Sequence, residues 1–255
     1  CDYGCEYFGG VRCVTGRAAA TFSEERPLPV RITLGESVSE ALGTPDNQHA
    51  MHDFTVELPP MGRAEFGQSA FRFVRIENCD PEKTLDLREL SLVVLERDLE
   101  YRGRFHCDDP LLDGIWSAAG RTIHLCLQEY LWDGAKRDQL VWIGDMHPEL
   151  LAAAAVFGRE RTIERSMDYM RDETPLPGFM NNMPGYSLCW LLCQYDWYWL
   201  YGDADYLRSQ QPYLAPLLKL LCRKIEMNDT ECLDQERFID WAHFSRPERL
   251  HGGFQ

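Results

Sequence analysis

Hydrophobic and polar positions change their period near residue 100. Before it, β-prone runs are short: Val11–Val14, Ala18–Phe22, Val30–Leu34, Met51–Leu58, Ala70–Glu77 and Leu90–Leu95. Phe71 and Phe73 alternate with Arg72, Val74 and Ile76, a period-2 pattern that reads as a strand. Gly9-Gly10, Pro27 and Pro29, Thr44-Pro45-Asp46-Asn47, Pro59-Pro60 and Asp80-Pro81 supply turn chemistry between the runs. Several strands at this spacing predict an antiparallel β-sandwich over residues 1–99.

From about Tyr101 the period becomes helical. Asp108 or Asp109 before Pro110 marks a helix start, with Asp as the cap and Pro in the first turn. Leu112, Ile115, Trp116, Ala119, Ile123, Cys126 and Leu127 then share one face. Further helices are predicted over Pro148–Phe157, Arg161–Arg171, Ser187–Tyr201 and Ala204–Ile225. That makes about five helices, antiparallel by the length of their connections, with no short internal repeat.

Composition narrows the function classes. The chain has 255 residues, room for one large or two ordinary domains at ~100–200 residues each. With 45% hydrophobic and 26% charged residues it reads as globular. Against 41 Asp and Glu stand only 26 Lys and Arg, a formal charge of −15, which repels phosphate backbones and argues against nucleic acid as a partner. Leu150–Phe157 is far short of the ~18 apolar residues of a membrane helix, so no membrane partner is expected. The chain begins at Cys1 without Met and stops at Gln255 soon after an apparent loop; both ends read as cut. Ten cysteines form no C-x-x-C and no zinc-finger spacing with His. Free thiols used as small buried hydrophobes are the expectation.

All seven Trp lie between positions 116 and 241. Those in helices read as core, whereas Trp132, Trp142 and Trp241 stand beside Asp and Gly. Indole faces next to carboxylates suit a sugar, whose C–H faces stack while its hydroxyls bond to acidic acceptors. Packing is the competing reading for each Trp taken singly.

The densest chemistry is Asp133-Gly134-Ala135-Lys136-Arg137-Asp138-Gln139-Leu140-Val141-Trp142-Ile143-Gly144-Asp145. Three carboxylates and an Arg alternate with large apolar residues, which a freely solvated loop would not carry. The mixture predicts a loop on a cavity floor with its polar groups converging. Burial beside other carboxylates raises a carboxyl pKa and keeps a general acid protonated, while Arg137 can hold a neighbour ionised. A hydrogen-bonded loop that braces two helices is the alternative.

This segment resembles the signature D-x-x-x-R-E-x-x-x-W-x-G-D of the bacterial α-L-rhamnosidases of glycoside hydrolase family 78, through Asp133, Arg137, Trp142, Gly144 and Asp145. Asp2-Tyr3-Gly4-Cys5-Glu6, Phe8-Gly9-Gly10 and Phe71–Ile76 resemble the β-sandwich that precedes the family's catalytic domain. Phe105–Asp109 through Trp116 resembles the start of its helical barrel. The resemblance implies a multidomain β + α chain: an antiparallel β-sandwich (1–99) followed by the first, incomplete part of an (α/α)6 barrel (100–255). It implies hydrolysis of terminal α-L-rhamnose from glycosides or polysaccharides with inversion, and a rhamnose-containing carbohydrate as partner. No metal or organic cofactor is expected for this mechanism, although acidic loops can bind calcium without a recognisable motif.

By position in the motif, Asp138 is the expected general acid, and Asp133, Arg137, Trp142 and Asp145 the expected rhamnose ligands. The family's pocket is lined by two later Trp, and the resemblance places Trp190 and Trp241 there by approximate spacing. The family has Glu where this chain has Asp138, shorter by one methylene, so the acid either acts from adjusted geometry or has been lost. Glu149 is a substitute acid, with charge stabilisation of a helix start as its alternative role. Inversion also needs a base ~6.5–9.5 Å from the acid, and the resemblance puts it beyond Gln255. Glu226, Glu231, Asp234 and Glu236 read as a solvated stretch. The chain by itself is therefore expected to be inactive. Two rival readings are a sugar-binding homologue without catalysis and a structural module completed by another chain.

Overall fold

A computed structural model describes residues 1–17, 26–43 and 53–223. Ala18–Phe22 and Trp241 therefore lie outside the described residues. The chain divides into two compact units: residues 1–99 with 124–128 and 134–139, and residues 100–123, 129–133 and 140 onward.

Among the described residues, five strands build the first unit: β1 (Asp2–Thr15), β2 (Leu28–Gly35), β3 (Asp53–Leu58), β4 (Arg63–Asn78) and β5 (Leu87–Val94). They form one sheet in the order β3-β2-β4-β1-β5, every neighbour antiparallel. The register sets Ile32 between Phe54 and Ile76, so β-branched and aromatic residues meet across the strands. Period 2 buries Leu28, Val30, Ile32 and Leu34 of β2 in a cluster with Val11, Cys13, Leu58, Phe71 and Val74. A short helix, α1 (Val38–Leu42), follows β2, with the Ser37 hydroxyl accepting from the Glu40 amide at 3.1 Å.

Gly9-Gly10 is not a turn. Both residues lie within β1 at a break in its register with β4. A Cβ on Gly9 would strike the Val93 carbonyl, and one on Gly10 would come within 2.5 Å of the Phe66 oxygen. Close backbone approach at a bulge, with φ of +152° at Gly9, explains the pair. β1 also starts earlier than its apolar run, because the Asp2 carboxylate accepts two hydrogen bonds from the Arg72 guanidinium, at 2.7 and 2.8 Å.

The helical elements are α2 (Pro110–Cys126), α3 (Ile143–Phe157), α4 (Arg161–Glu173), α5 (Pro184–Tyr201) and α6 (Ala204–Arg223), with a 3-10 turn at Met180–Asn182. Asp109 caps α2, its Oδ1 accepting from the Leu111 amide at 2.9 Å. In the second unit α3 packs on α4 and α5, and α5 on α6. Ile143, Met146, Leu150 and Phe157 of α3, Ile163 and Met167 of α4, Trp190 and Trp197 of α5 and Leu217 of α6 are fully enclosed.

The apolar face predicted for α2 is covered only toward its end: Ile123 is buried, whereas Leu112 and Ile115 are exposed. Tyr195 and Trp199 of α5 are exposed too. Cys13, Cys126 and Cys193 fit the expectation of buried thiols, but Cys1, Cys5, Cys79 and Cys222 are exposed. No helix among the described residues is long and apolar enough to cross a membrane.

Candidate active site

The segment Asp133–Asp145 is not one loop. Residues 134–139 group with the first unit, whereas Asp133 and residues 140 onward group with the second. The helix predicted from Pro148 begins at Ile143. Trp142 opens it, its carbonyl accepting from the Asp145 and Met146 amides at 3.2 and 3.0 Å. Pro148 costs an interior hydrogen bond, but the buried side chains of Ile143 and Met146 carry the helix through it.

In the second unit, Asp133 and Leu140 close the two ends of the excursion. The Asp133 amide donates to the Leu140 carbonyl, and the Leu140 amide donates to Asp133 Oδ1, each at 3.0 Å. Val141 and Ile143 are buried on either side of half-buried Trp142. The Asn181 side chain spans this step: its Oδ1 accepts from the Ile143 amide and its Nδ2 donates to the Val141 carbonyl, both at 3.1 Å. Asn181 does so from the left-handed region, φ 49° and ψ 27°, which Asn tolerates better than most residues.

Tyr186 explains the glycine of the motif. Its ring lies edge-on to Trp142 with centroids 6.1 Å apart, and a Cβ on Gly144 would run into the same ring. Gly144 thus lets Tyr186 pack against the indole and orient it.

Asp145 lies exposed in the first turn of α3, where negative charge is favoured. Glu149 follows one turn later on the same face. Charge stabilisation of the helix start does not describe Glu149, because the helix begins at Ile143. Burial, and then the charges of Asp145 and Asp133, push the Glu149 carboxyl up to about 8. At neutral pH it keeps its proton and can donate a hydrogen bond. His147, on the next face of α3, holds α5 through a 2.6 Å contact between its Nε2 and Asp196 Oδ2.

The first-unit portion has a different support. Ala135 and Lys136 are buried. The Lys136 ammonium donates to the Leu34 carbonyl at 3.1 Å and to Glu40 Oε1 at 2.5 Å. Asp138 and Gln139 both have positive φ, 58° and 54°. The Asp138 carboxylate is 16% exposed and lies 3.7 Å from the exposed Arg137 guanidinium. Gln139 ties the turn to itself, its amide donating to the Arg137 carbonyl at 2.7 Å and its Nε2 to the Ala135 carbonyl at 2.9 Å.

Asp133 and Asp145 therefore lie near enough to Glu149 for their charges to raise its pKa, and Arg137 lies beside Asp138. Trp190 stands elsewhere: it is fully buried, its indole N–H donates to the Met167 carbonyl at 3.1 Å, and its ring packs edge-on to Tyr213. Its surroundings are core, and no face is open to a sugar. A cavity of about 360 Å³, lined by Tyr198, Ala204, Leu207, Arg208, Gln211 and Leu214, contains none of the expected site residues. Among the described residues, no group of three or more His, Cys, Asp or Glu side chains is placed to hold a metal ion.

Lys136, Asn181 and Tyr186 were not anticipated. Asn181 had a signal in the Asn181-Asn182 pair between Met180 and Met183, a turn sequence set in apolar surroundings. Lys136 had none, since a Lys between Ala135 and Arg137 reads as solvated.

Residues 100–251 match the family model described as bacterial alpha-L-rhamnosidase 6 hairpin glycosidase domain. Among solved structures, the chain is similar to a rhamnosidase from Klebsiella oxytoca with rhamnose bound, at a TM-score of 0.77 and 18% identity. That match covers 90% of this chain and 49% of the other. It is also similar to a rhamnosidase of family GH78 from Bacillus sp. GL1, at a TM-score of 0.69 and 20% identity, over 89% of this chain and 24% of the other. The chain thus spans about half the length of the first and about a quarter of the second. At these identities the similarity is one of fold. A comparison with curated proteins finds no match.

Proposed function

Because the chain belongs to the bacterial α-L-rhamnosidase six-hairpin glycosidase family, we propose that it carries the acid half of a site that hydrolyses terminal α-L-rhamnosides with inversion. One observation carries the proposal: the signature Asp133, Arg137, Trp142, Gly144 and Asp145 falls inside the matched region, and Gly144 has a structural reason in Tyr186. The sandwich-and-barrel division at residues 99 and 100 is part of the same proposal.

In this reading Trp142 offers its indole to the apolar face of the rhamnose ring. Asp133, Asp145 and Arg137 bond to its hydroxyls, and protonated Glu149 adds a donor. Trp241 belongs to the proposed subsite by its spacing alone. Asp138 gives its proton to the glycosidic oxygen as the bond from that oxygen to the anomeric carbon breaks. A water attacks the same carbon from the opposite face and loses its proton to a base. The products are the free alcohol and rhamnose with the anomeric centre inverted. We assign no residue of this chain to the base.

Two carboxyls compete for the role of acid, and variants separate them. With the full-length protein and an alkyl α-L-rhamnoside, Asp138→Asn is expected to lower kcat by about 100-fold or more, the scale of a lost general acid. Glu149→Gln keeps a donor and is expected to change KM more than kcat. The reverse pattern would transfer the acid role to Glu149. The Glu-to-Asp difference at position 138 favours a second reading, a sugar-binding homologue without catalysis. Rhamnose binding without turnover by the full-length wild type would select it.

A further inference from the structure

Asp138 and Gln139 are consecutive non-glycine residues in the left-handed region. Such residues are strained and persist only where their surroundings impose the conformation. The residue just before Arg137-Asp138 is a lysine whose side chain is only 5% exposed. A buried ammonium is costly unless fully partnered, and this one is partnered from the sheet. It donates to the Leu34 carbonyl at the end of β2 and to Glu40 of α1.

Those partners are themselves fixed. The other oxygen of Glu40 accepts from the Glu36 amide at 2.7 Å, and the Ser37 cap holds the Glu40 backbone. Gly35 makes the tight passage from β2 to α1 possible, since a Cβ there would come within 2.7 Å of the Ala41 nitrogen. Glu6 completes the cluster. Burial and Glu36 push its carboxyl up to about 7, so it adds little negative charge below neutral pH.

We propose that Lys136 is a positioning residue for the reaction: its ammonium, clamped by Leu34 and Glu40, imposes the strained turn that presents the carboxyl of Asp138. The inference rests on the assignment of Asp138 as proton donor. A tether that served stability alone would need neither the strained turn nor a place next to the acid. Lys136 combines both with a fixed direction, because one donor bonds to sheet backbone and another to a capped helix.

The test uses the dependence of acid catalysis on the leaving group. A nitrophenolate departs with little protonation, whereas methoxide needs the proton fully. K136M, K136R and K136M/E40Q are compared with the full-length wild type on 4-nitrophenyl and methyl α-L-rhamnosides. K136M is expected to lose about tenfold or more in kcat on the methyl glycoside and under about threefold on the nitrophenyl one. K136R recovers most of the loss. K136M/E40Q also removes the negative charge that faced the ammonium, so its melting temperature rises above that of K136M while methyl turnover stays low.

Equal losses on the two substrates, or wild-type methyl turnover in K136M/E40Q, would remove the positioning role and leave the assignment of Asp138 intact. Wild-type methyl turnover in D138N would remove that assignment, and the role of Lys136 with it. If K136M does not fold, K136R and the double variant decide alone.

Discussion

The two halves of the motif are held by different physics. Ala135–Gln139 is anchored by a buried cation between a sheet carbonyl and a carboxylate, is tied internally by Gln139, and carries strained backbone. Val141–Glu149 is fixed by a side-chain amide across Trp142, by a ring against a glycine and by the first turns of α3. An acid that must meet a single oxygen tolerates little displacement, and a strained turn on an ionic anchor defines one direction for it. A sugar subsite needs a broad, stable surface, which packing and neutral hydrogen bonds supply.

The largest expected effect falls on the ionic half. Lys136→Met removes the ammonium that pairs with Glu40 and is expected to cost about 2–3 kcal/mol in urea unfolding, less than a fully buried pair because Glu40 is 33% exposed. Amide exchange should rise at residues 137–139 and stay unchanged at 141–146. Faster exchange across both stretches would show that the halves are not held separately.

Gly144→Ala tests the packed half. Its methyl meets the Tyr186 ring, so a loss of about 1–3 kcal/mol is expected, together with weaker quenching of Trp142 fluorescence by rhamnose. The double variant Gly144→Ala/Tyr186→Leu should recover part of the stability; failure to do so would move the strain elsewhere. Asn181→Ala strands the Ile143 amide and the Val141 carbonyl and is expected to cost about 1–2 kcal/mol, read by the same unfolding assay.

The smallest effect is a slope. The Glu149 carboxyl rises from its ordinary 4.5 to about 8 in the folded chain. The folded state therefore holds this proton where the unfolded chain releases it. Burial of Glu149 carries no ionisation cost below pH 4.5 and a growing one as pH rises to about 8. Glu149→Gln should flatten the decline of melting temperature across that window, and an unaltered slope would place its source in other groups.

Much of this was legible from periodicity. The β-prone run Val30–Leu34 found β2, and the helical period over Arg161–Arg171 found α4, whose buried face holds Ile163, Met167 and Met170. Pro148 concealed the true start of α3, because a proline inside a helix is paid for by burial at Ile143 and Met146 that no local rule sees. Gly9-Gly10 carried turn chemistry, but the need for glycine came from Val93 and Phe66, more than fifty residues away in sequence. Trp190 shared its residue type with Trp142 and differed only in its neighbours. In the motif the chemistry-bearing residues were visible, whereas their supports, Lys136, Asn181 and Tyr186, were not. A partner distant in the chain leaves no local pattern.

The proposed hydrolysis of terminal rhamnosides proceeds with inversion through the acid at Asp138. Proton NMR during the first minutes of reaction of the full-length protein with methyl α-L-rhamnoside tests it most directly, because the first anomer released precedes mutarotation. The β-anomer of L-rhamnose is predicted to appear first, and only with Asp138 present. First release of the α-anomer, or unchanged release by Asp138→Asn, would contradict the account.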